Sequence, residues 1–182
     1  MLASEFSVGR FDKGIILRIV GRGTMHESPA FRAVIEQSPA PVVLFDATGC
    51  DYFDSTFLGC LIWTKKACET PPARQLLIAA SPATRIKLFS TSSLARYFDF
   101  VEACPEPLEP LLKVDVEKLD AAVLGQHVMR CHELLADLGG DNASAFRRVA
   151  DRLATELRER DAQHRENRAE LRESARFHSA AE

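Results

Sequence analysis

Apolar and polar positions alternate from the start of the chain. Residues 5–11 and 14–20 read as two strands, because Ile15, Leu17 and Ile19 alternate with Ile16, Arg18 and Val20 and β-branched residues dominate. Asp12-Lys13-Gly14 between them predicts a short hairpin turn, and Gly21-Arg22-Gly23 breaks the pattern. Ser28-Pro29 opens a helix, with serine as the cap and proline at the first helical position. Phe31, Val34 and Ile35 give that helix one apolar face, which ends near Ser38-Pro39. Val42-Val43-Leu44-Phe45 is a continuous apolar run of strand length, suited to an interior strand covered on both faces. A loop, Ala47 to Phe53, leads to a second helix capped by Asp54 or Ser55 and running to about Glu69. Its expected buried positions are Phe57, Leu58, Leu61, Ile62 and Cys68, and Thr70-Pro71-Pro72 stops it.

Leu76-Leu77-Ile78-Ala79 is another interior-type strand, and Ser81-Pro82 repeats the cap-then-proline opening for a third helix to about Phe89. A polar break, Ser90 to Ser93, precedes a last short strand between Tyr97 and Val101. Strands alternating with helices in this order need crossovers on a sheet, which predicts an α/β layered domain over residues 1–104. Residues 105–118, rich in proline at the start, read as a linker. Residues 119–182 read as a helical hairpin with a polar tail. Ala121, Leu124, Val128, Cys131, Leu135 and Leu138 form a narrow helical seam, and Gly139-Gly140 ends that helix. Asp141-Asn142 caps the next, where Phe146, Val149, Leu153 and Leu157 continue the seam. The seam has two fates open to it: packing on the domain's own sheet or helices, or forming a homodimer or partner interface. Beyond Arg158 the stripe thins, leaving a solvated helix end or a disordered tail.

A formal net charge of −3 gives no reason to expect direct contact with nucleic acid. No apolar run approaches the roughly 18 residues of a membrane span. The amino terminus, Met1-Leu2-Ala3-Ser4-Glu5, lacks the basic patch and apolar stretch of a signal peptide, so a cytoplasmic location is expected. The five cysteines, Cys50, Cys60, Cys68, Cys104 and Cys131, are odd in number and include no C-x-x-C pair, so they read as buried free thiols rather than a disulfide framework or a zinc site.

The stretch Val42-Val43-Leu44-Phe45-Asp46, a loop, then Asp54-Ser55-Thr56-Phe57-Leu58-Gly59 resembles the core signature of the STAS domain, found in sulfate transporters and anti-sigma factor antagonists. Ser81-Pro82-Ala83 followed by Leu88-Phe89 and Leu94 is similar to that family's later Ser-Pro helix, so the resemblance spans roughly residues 5–103. It implies a mixed sheet with helices packed against it and a non-catalytic regulatory module. In anti-sigma factor antagonists the serine after the motif aspartate is phosphorylated by a serine kinase that is also the anti-sigma factor, and a phosphatase resets it. That serine matches Ser55, with Thr56 as a secondary acceptor, and Asp54, Ser55, Thr56, Phe57, Leu58 and Gly59 are the implied docking residues. Transcription regulation by partner switching follows from the same resemblance, with no cofactor. Two departures stand out. Phe57 occupies the place of the family's first motif glycine, which puts a bulky ring one turn from the phosphosite and reshapes the docking surface. Gly21-Arg22-Gly23-Thr24 has no acidic residue where many members carry one.

Ser55 at a helix amino terminus also makes physical sense alone. Its hydroxyl can accept from a free backbone donor of the first turn. A phosphate there would carry about −1.5 to −2 charge, which the helix amino terminus favours by roughly 0.3–1 kcal/mol. Modification is therefore expected to act at the surface, by repelling an acidic partner, and not by melting the helix. The bland reading is that Asp54-Ser55-Thr56 is a good helix cap and nothing more.

Other constellations carry less. Gly21-Arg22-Gly23 begins a dinucleotide fingerprint, but its third glycine is replaced by His26. No phosphate-binding G-x-x-x-x-G-K loop and no G-x-S-x-G elbow occurs. His127 and His132 point about 140° apart on one helix, at about 100° per residue, so they are expected to face solvent and hold no metal. The arginines from Arg147 to Arg176 are interleaved with acids, as on a solvated helix face. Two rival functions remain open beside partner switching: a constitutive subunit of a transporter or signalling assembly, and a sensor binding a small anion or nucleotide near Ser55 and Thr56. No nucleophile–base pair can be assembled from the sequence, so an enzyme is not expected.

Overall fold

The computed structural model describes residues 4–89 and 93–179, with side chains described as far as Arg168. The polar break at Ser90 to Ser92 lies outside the described residues. The elements are β1 Glu5–Phe11, β2 Gly14–Gly23, α1 Ser28–Gln37, β3 Val42–Asp46, β4 Cys50–Phe53, α2 Ser55–Glu69, β5 Gln75–Ala79, α3 Pro82–Phe89, a 3₁₀ turn Leu94–Tyr97, β6 Asp99–Val101, β7 Leu112–Lys113, α4 Ala121–Asp137 and α5 Ala143–Ser179. The sheet runs β6-β5-β3-β2-β1-β7, with β4 paired to the far end of β2. β2, β3, β5 and β6 are parallel, as crossovers through α1, α2 and α3 require, while β1 and β7 add antiparallel strands at one edge. This is the mixed α/β sheet with a carboxyl-terminal helical hairpin that the element order implies.

The strand period of two sorts side chains to two faces. Leu17, Ile19, Val43, Phe45, Leu76 and Ile78 point to the helices and join Phe31, Ile35, Leu61, Leu88 and Phe89 in one core. Ile16, Leu44 and Ala79 face the other way, beneath Phe11, Leu77, Val101, Cys104 and Leu111. Residues 105–118, read as a linker, thus run along the sheet. Leu108 N donates to Arg10 O at 2.8 Å, β7 pairs with β1, and Val114 N donates to Phe6 O at 2.8 Å, which brings the chain round the sheet edge towards the helical face.

Three local expectations need correction. β2 does not stop at Val20: it continues to Gly23 by exchanging β3 for β4, with a register shift between Gly21 and Arg22. The expected loop Ala47–Phe53 accordingly contains a strand. Phe57, expected both among the buried positions of α2 and among the docking residues, is fully buried, so only the first of the two holds. Its ring stacks on Phe53 with centroids 4.9 Å apart and lies 5.3 Å from Phe31 and 5.7 Å from Phe45. Gly23 makes the room: a Cβ there would stand 2.9 Å from the Phe57 ring and 2.8 Å from that of Phe53. The ring at position 57 is therefore core, compensated by the missing side chain at position 23. Phe57→Ala should lower stability by about 3–5 kcal/mol, the usual cost of emptying a buried phenylalanine site. Urea unfolding of the two proteins checks this, and a loss below about 1 kcal/mol, as at ordinary surface positions, would contradict the placement.

Candidate docking site at the start of α2

Asp54 sets the geometry. Its backbone is extended, its Oδ1 accepts from Phe57 N at 2.8 Å as the cap of α2, and its Oδ2 accepts from Met25 N at 2.8 Å. Its own N–H donates to Gly23 O at 3.1 Å. One residue thus joins the end of β2 through its backbone, and the loop before α1 and the first turn of α2 through its carboxylate. Glu27 fixes the same loop from the other side, accepting from Thr24 N at 2.9 Å and Thr24 Oγ1 at 2.6 Å. Ser28, read as the cap of α1, does not cap it; α1 carries proline in its first turn and has no side-chain cap.

With Asp54 as the cap, the Ser55 hydroxyl is released from that task. Ser55 is half-buried, and its Oγ lies 3.0 Å from His132 Nε2 of α4. The other ring nitrogen, Nδ1, lies 2.9 Å from Val128 O. A carbonyl only accepts, so Nδ1 carries a proton; in the neutral ring Nε2 is then the acceptor and Ser55 donates to it. The rest of the motif turns inward. Thr56, Phe57, Leu58 and Gly59 are buried, and of the six residues read as docking positions only Asp54 and Ser55 are half-exposed.

Gly59 explains how α4 comes so close. A Cβ on Gly59 would lie 2.4 Å from Cys131 O and 2.7 Å from Cys131 Cβ, so the α4 backbone rests directly on α2. On the near side of this contact His132 meets Ser55. On the other, His127 Nε2 lies 2.8 Å from Ser28 Oγ, and the His127 ring stacks on Trp63 at 5.9 Å. Arg32 of α1 covers Trp63, with its guanidinium carbon 3.9 Å from the ring centroid.

Both histidines are buried, against the expectation that they face solvent. The angle between them was right in kind; what it missed is that α4 has neighbours on two sides. α1 and α2 take His127, while α2 and Phe146 of α5, whose ring lies 6.0 Å from that of His132, enclose the second histidine. Nothing local in the sequence pairs Ser28 with His127 or Ser55 with His132, because the partners stand 99 and 77 residues apart. On α5 one seam position differs, with Val149 exposed and Ala150 buried in its place, while Phe146, Leu153 and Leu157 are half-buried as the pattern predicts.

The remaining sites fall elsewhere. Cys50, Cys60, Cys68 and Cys131 are buried free thiols, and Cys104 is half-buried. A cavity of about 520 Å³ lies at the other end of β2, between Arg10–Ile15 and Ser38–Pro41. Among the described residues no helix is long and apolar enough to cross a membrane.

Comparison with solved structures finds two anti-sigma factor antagonists among the similar folds. One, from Mycobacterium paratuberculosis, is 18% identical with a TM-score of 0.45, over 56% of this chain and 87% of its own. The other, the anti-sigma factor antagonist SpoIIAA in its unphosphorylated form, is 15% identical with a TM-score of 0.43, over 54% of this chain and 89% of its own. No family model and no curated protein matches the sequence.

Burial pushes the His127 imidazole down to about 4, and the positive charge of Arg32 adds to the effect. The unfolded chain therefore binds a proton near its ordinary value of about 6.5, which the folded chain refuses until near pH 4. The stabilising contribution is complete above pH 6.5 and is lost as pH falls towards 4. Between pH 7.5 and pH 5 stability should drop by about 2 kcal/mol from this group. Urea unfolding of the protein and of His127→Gln at the two pH values separates that share, because the variant lacks it; equal pH dependence in both would remove the role assigned to His127.

Proposed function

We propose that this protein is a non-catalytic regulatory module that acts by phosphorylation-controlled partner switching at Ser55, in the manner of the anti-sigma factor antagonists it resembles. Its partners are then a serine kinase that doubles as an anti-sigma factor and a phosphatase that resets Ser55, and it works in the cytoplasm to regulate transcription. Asp54, Ser55 and the first turn of α2 supply the docking face.

One observation carries this reading. Asp54 alone satisfies the cap, with both carboxylate oxygens spent on backbone donors, so the adjacent half-exposed Ser55 hydroxyl is held only by a side chain from another element. A serine needed as a cap would lose the cap on modification; Ser55 would not. A phosphate at this position sits on the amino terminus of α2, where the helix favours it by roughly 0.3–1 kcal/mol. The chemistry thus alters the surface offered to a partner while α2 stays intact. Thr56, the secondary acceptor, is buried and lies out of a kinase's reach in this arrangement.

A constitutive interaction subunit is the second reading, favoured by the engagement of the Ser55 hydroxyl with His132, which fills the place where a partner would read it. Peptide mapping by mass spectrometry of protein purified from its native host, across growth and stress conditions, separates the two. The switch expects one phosphate, at Ser55, absent from Ser55→Ala. Protein unmodified under every condition, or modified elsewhere, would favour the constitutive reading.

A further inference from the structure

We propose that the α4–α5 hairpin is a displaceable cover over the docking face of α2, built into the same chain; this rests on the reading of Ser55 and the first turn of α2 as that face. While α4 is seated, only Asp54 and Ser55 of the motif reach the surface, and the Ser55 hydroxyl is already bound to His132. A partner that reads the start of α2 therefore competes with α4 for it.

The construction of the hairpin suits it to leave as a unit. α4 and α5 hold each other: Leu157 packs within 3.3 Å of where a Cβ on Gly125 would stand, Arg147 pairs with Asp137, and Arg160 lies 3.7 Å from Asp120. The tether from β7 to α4 has no regular structure, and residues 115–118 in it are exposed. Phe31, Phe45, Phe53, Phe57 and Phe89 of the main core come from strands and helices other than α4, and Cys131, Leu134 and Leu135 of α4 join that core from its helical side. Two serine–histidine contacts flank the α2–α4 crossing, and both pairs are small polar groups that water can satisfy once α4 lifts. Local opening of this kind requires that a segment separate with less free energy than the whole fold.

The native cysteines report such opening without added probes. Cys131 is fully buried on the face of α4 that lies against α2, whereas Cys50 and Cys68 are buried within the sheet domain. Burial also raises all three thiols, which keeps them unreactive while covered. Labelling of the full chain with N-ethylmaleimide, followed by peptide mapping against time, should modify Cys131 at least about tenfold faster than Cys50 and Cys68. Gly59→Ala should raise the Cys131 rate at least about tenfold further and leave Cys50 unchanged, because the three atoms nearest the new methyl all belong to Cys131. His132→Ala, which removes the Ser55 contact together with the bond to Val128 O and the packing on Phe146, should raise it in the same direction. Equal rates at Cys131, Cys50 and Cys68 in wild type, rising together in the variants, would mean that hairpin and sheet open as one body and would overturn the cover. This readout needs neither kinase nor phosphate, so it can fail while the Ser55 switch stands, and the reverse.

Discussion

The place where α4 lies against Gly59 is the contact on which the rest of the site depends. Two helix backbones meet there with no side chain between them, since any Cβ on Gly59 would collide with Cys131 O at 2.4 Å. That approach fixes the height and angle of α4, and through them the reach of its two histidines. His127 falls on Ser28 at the start of α1, and His132 falls on Ser55 at the start of α2. A helix seated even one ångström farther out would lose both hydrogen bonds, whose lengths are 2.8 and 3.0 Å. Gly59, read first as part of a motif, is thus the residue that lets the carboxyl-terminal hairpin close over that motif.

The face below is held by a different economy of small residues and carboxylates. Asp54 carries the capping load for α2 and ties in the loop before α1, which leaves the Ser55 hydroxyl free of any part in the cap. Gly23 yields the space that Phe57 fills, so a bulky ring enters the helix without altering the surface. The outcome is a helix start whose position is determined by buried groups and whose exposed chemistry is reduced to one carboxylate and one hydroxyl. A hydroxyl so placed can be modified or engaged at small cost to the fold, which is the physical basis for reading it as a regulatory site.

Much of this was legible in the order of residues, where the signal is local. The apolar runs at Val42–Phe45 and Leu76–Ala79 mark strands buried on both faces, and the proline and capping signals mark the starts of α1, α2 and α3. β4 escaped because Cys-Asp-Tyr-Phe is short and half polar, and its strand character comes from pairing with β2. β7, a pair of residues between prolines and acids, escaped for the same reason. The histidines escaped because periodicity describes one helix against one neighbour, whereas α4 is enclosed by α1 and α2 on one side and α5 on the other. Phe57 was recognised as a buried position from the helix pattern, while its displacement of a family glycine drew attention to the surface; the compensating residue, Gly23, lies in another element and leaves no local trace.

The state of His132 tests the central claim most directly. Long-range proton–nitrogen NMR of the imidazole reads which ring nitrogen carries the proton. With α4 seated, Val128 O requires the proton on Nδ1, and Ser55 occupies Nε2 as donor. The expected result for the neutral ring is a single Nδ1–H form, turning into a mixture of the two tautomers in Gly59→Ala. A ring that carries its proton on Nε2, or exchanges between the two forms in the wild-type protein, would contradict the seating of α4 on the start of α2.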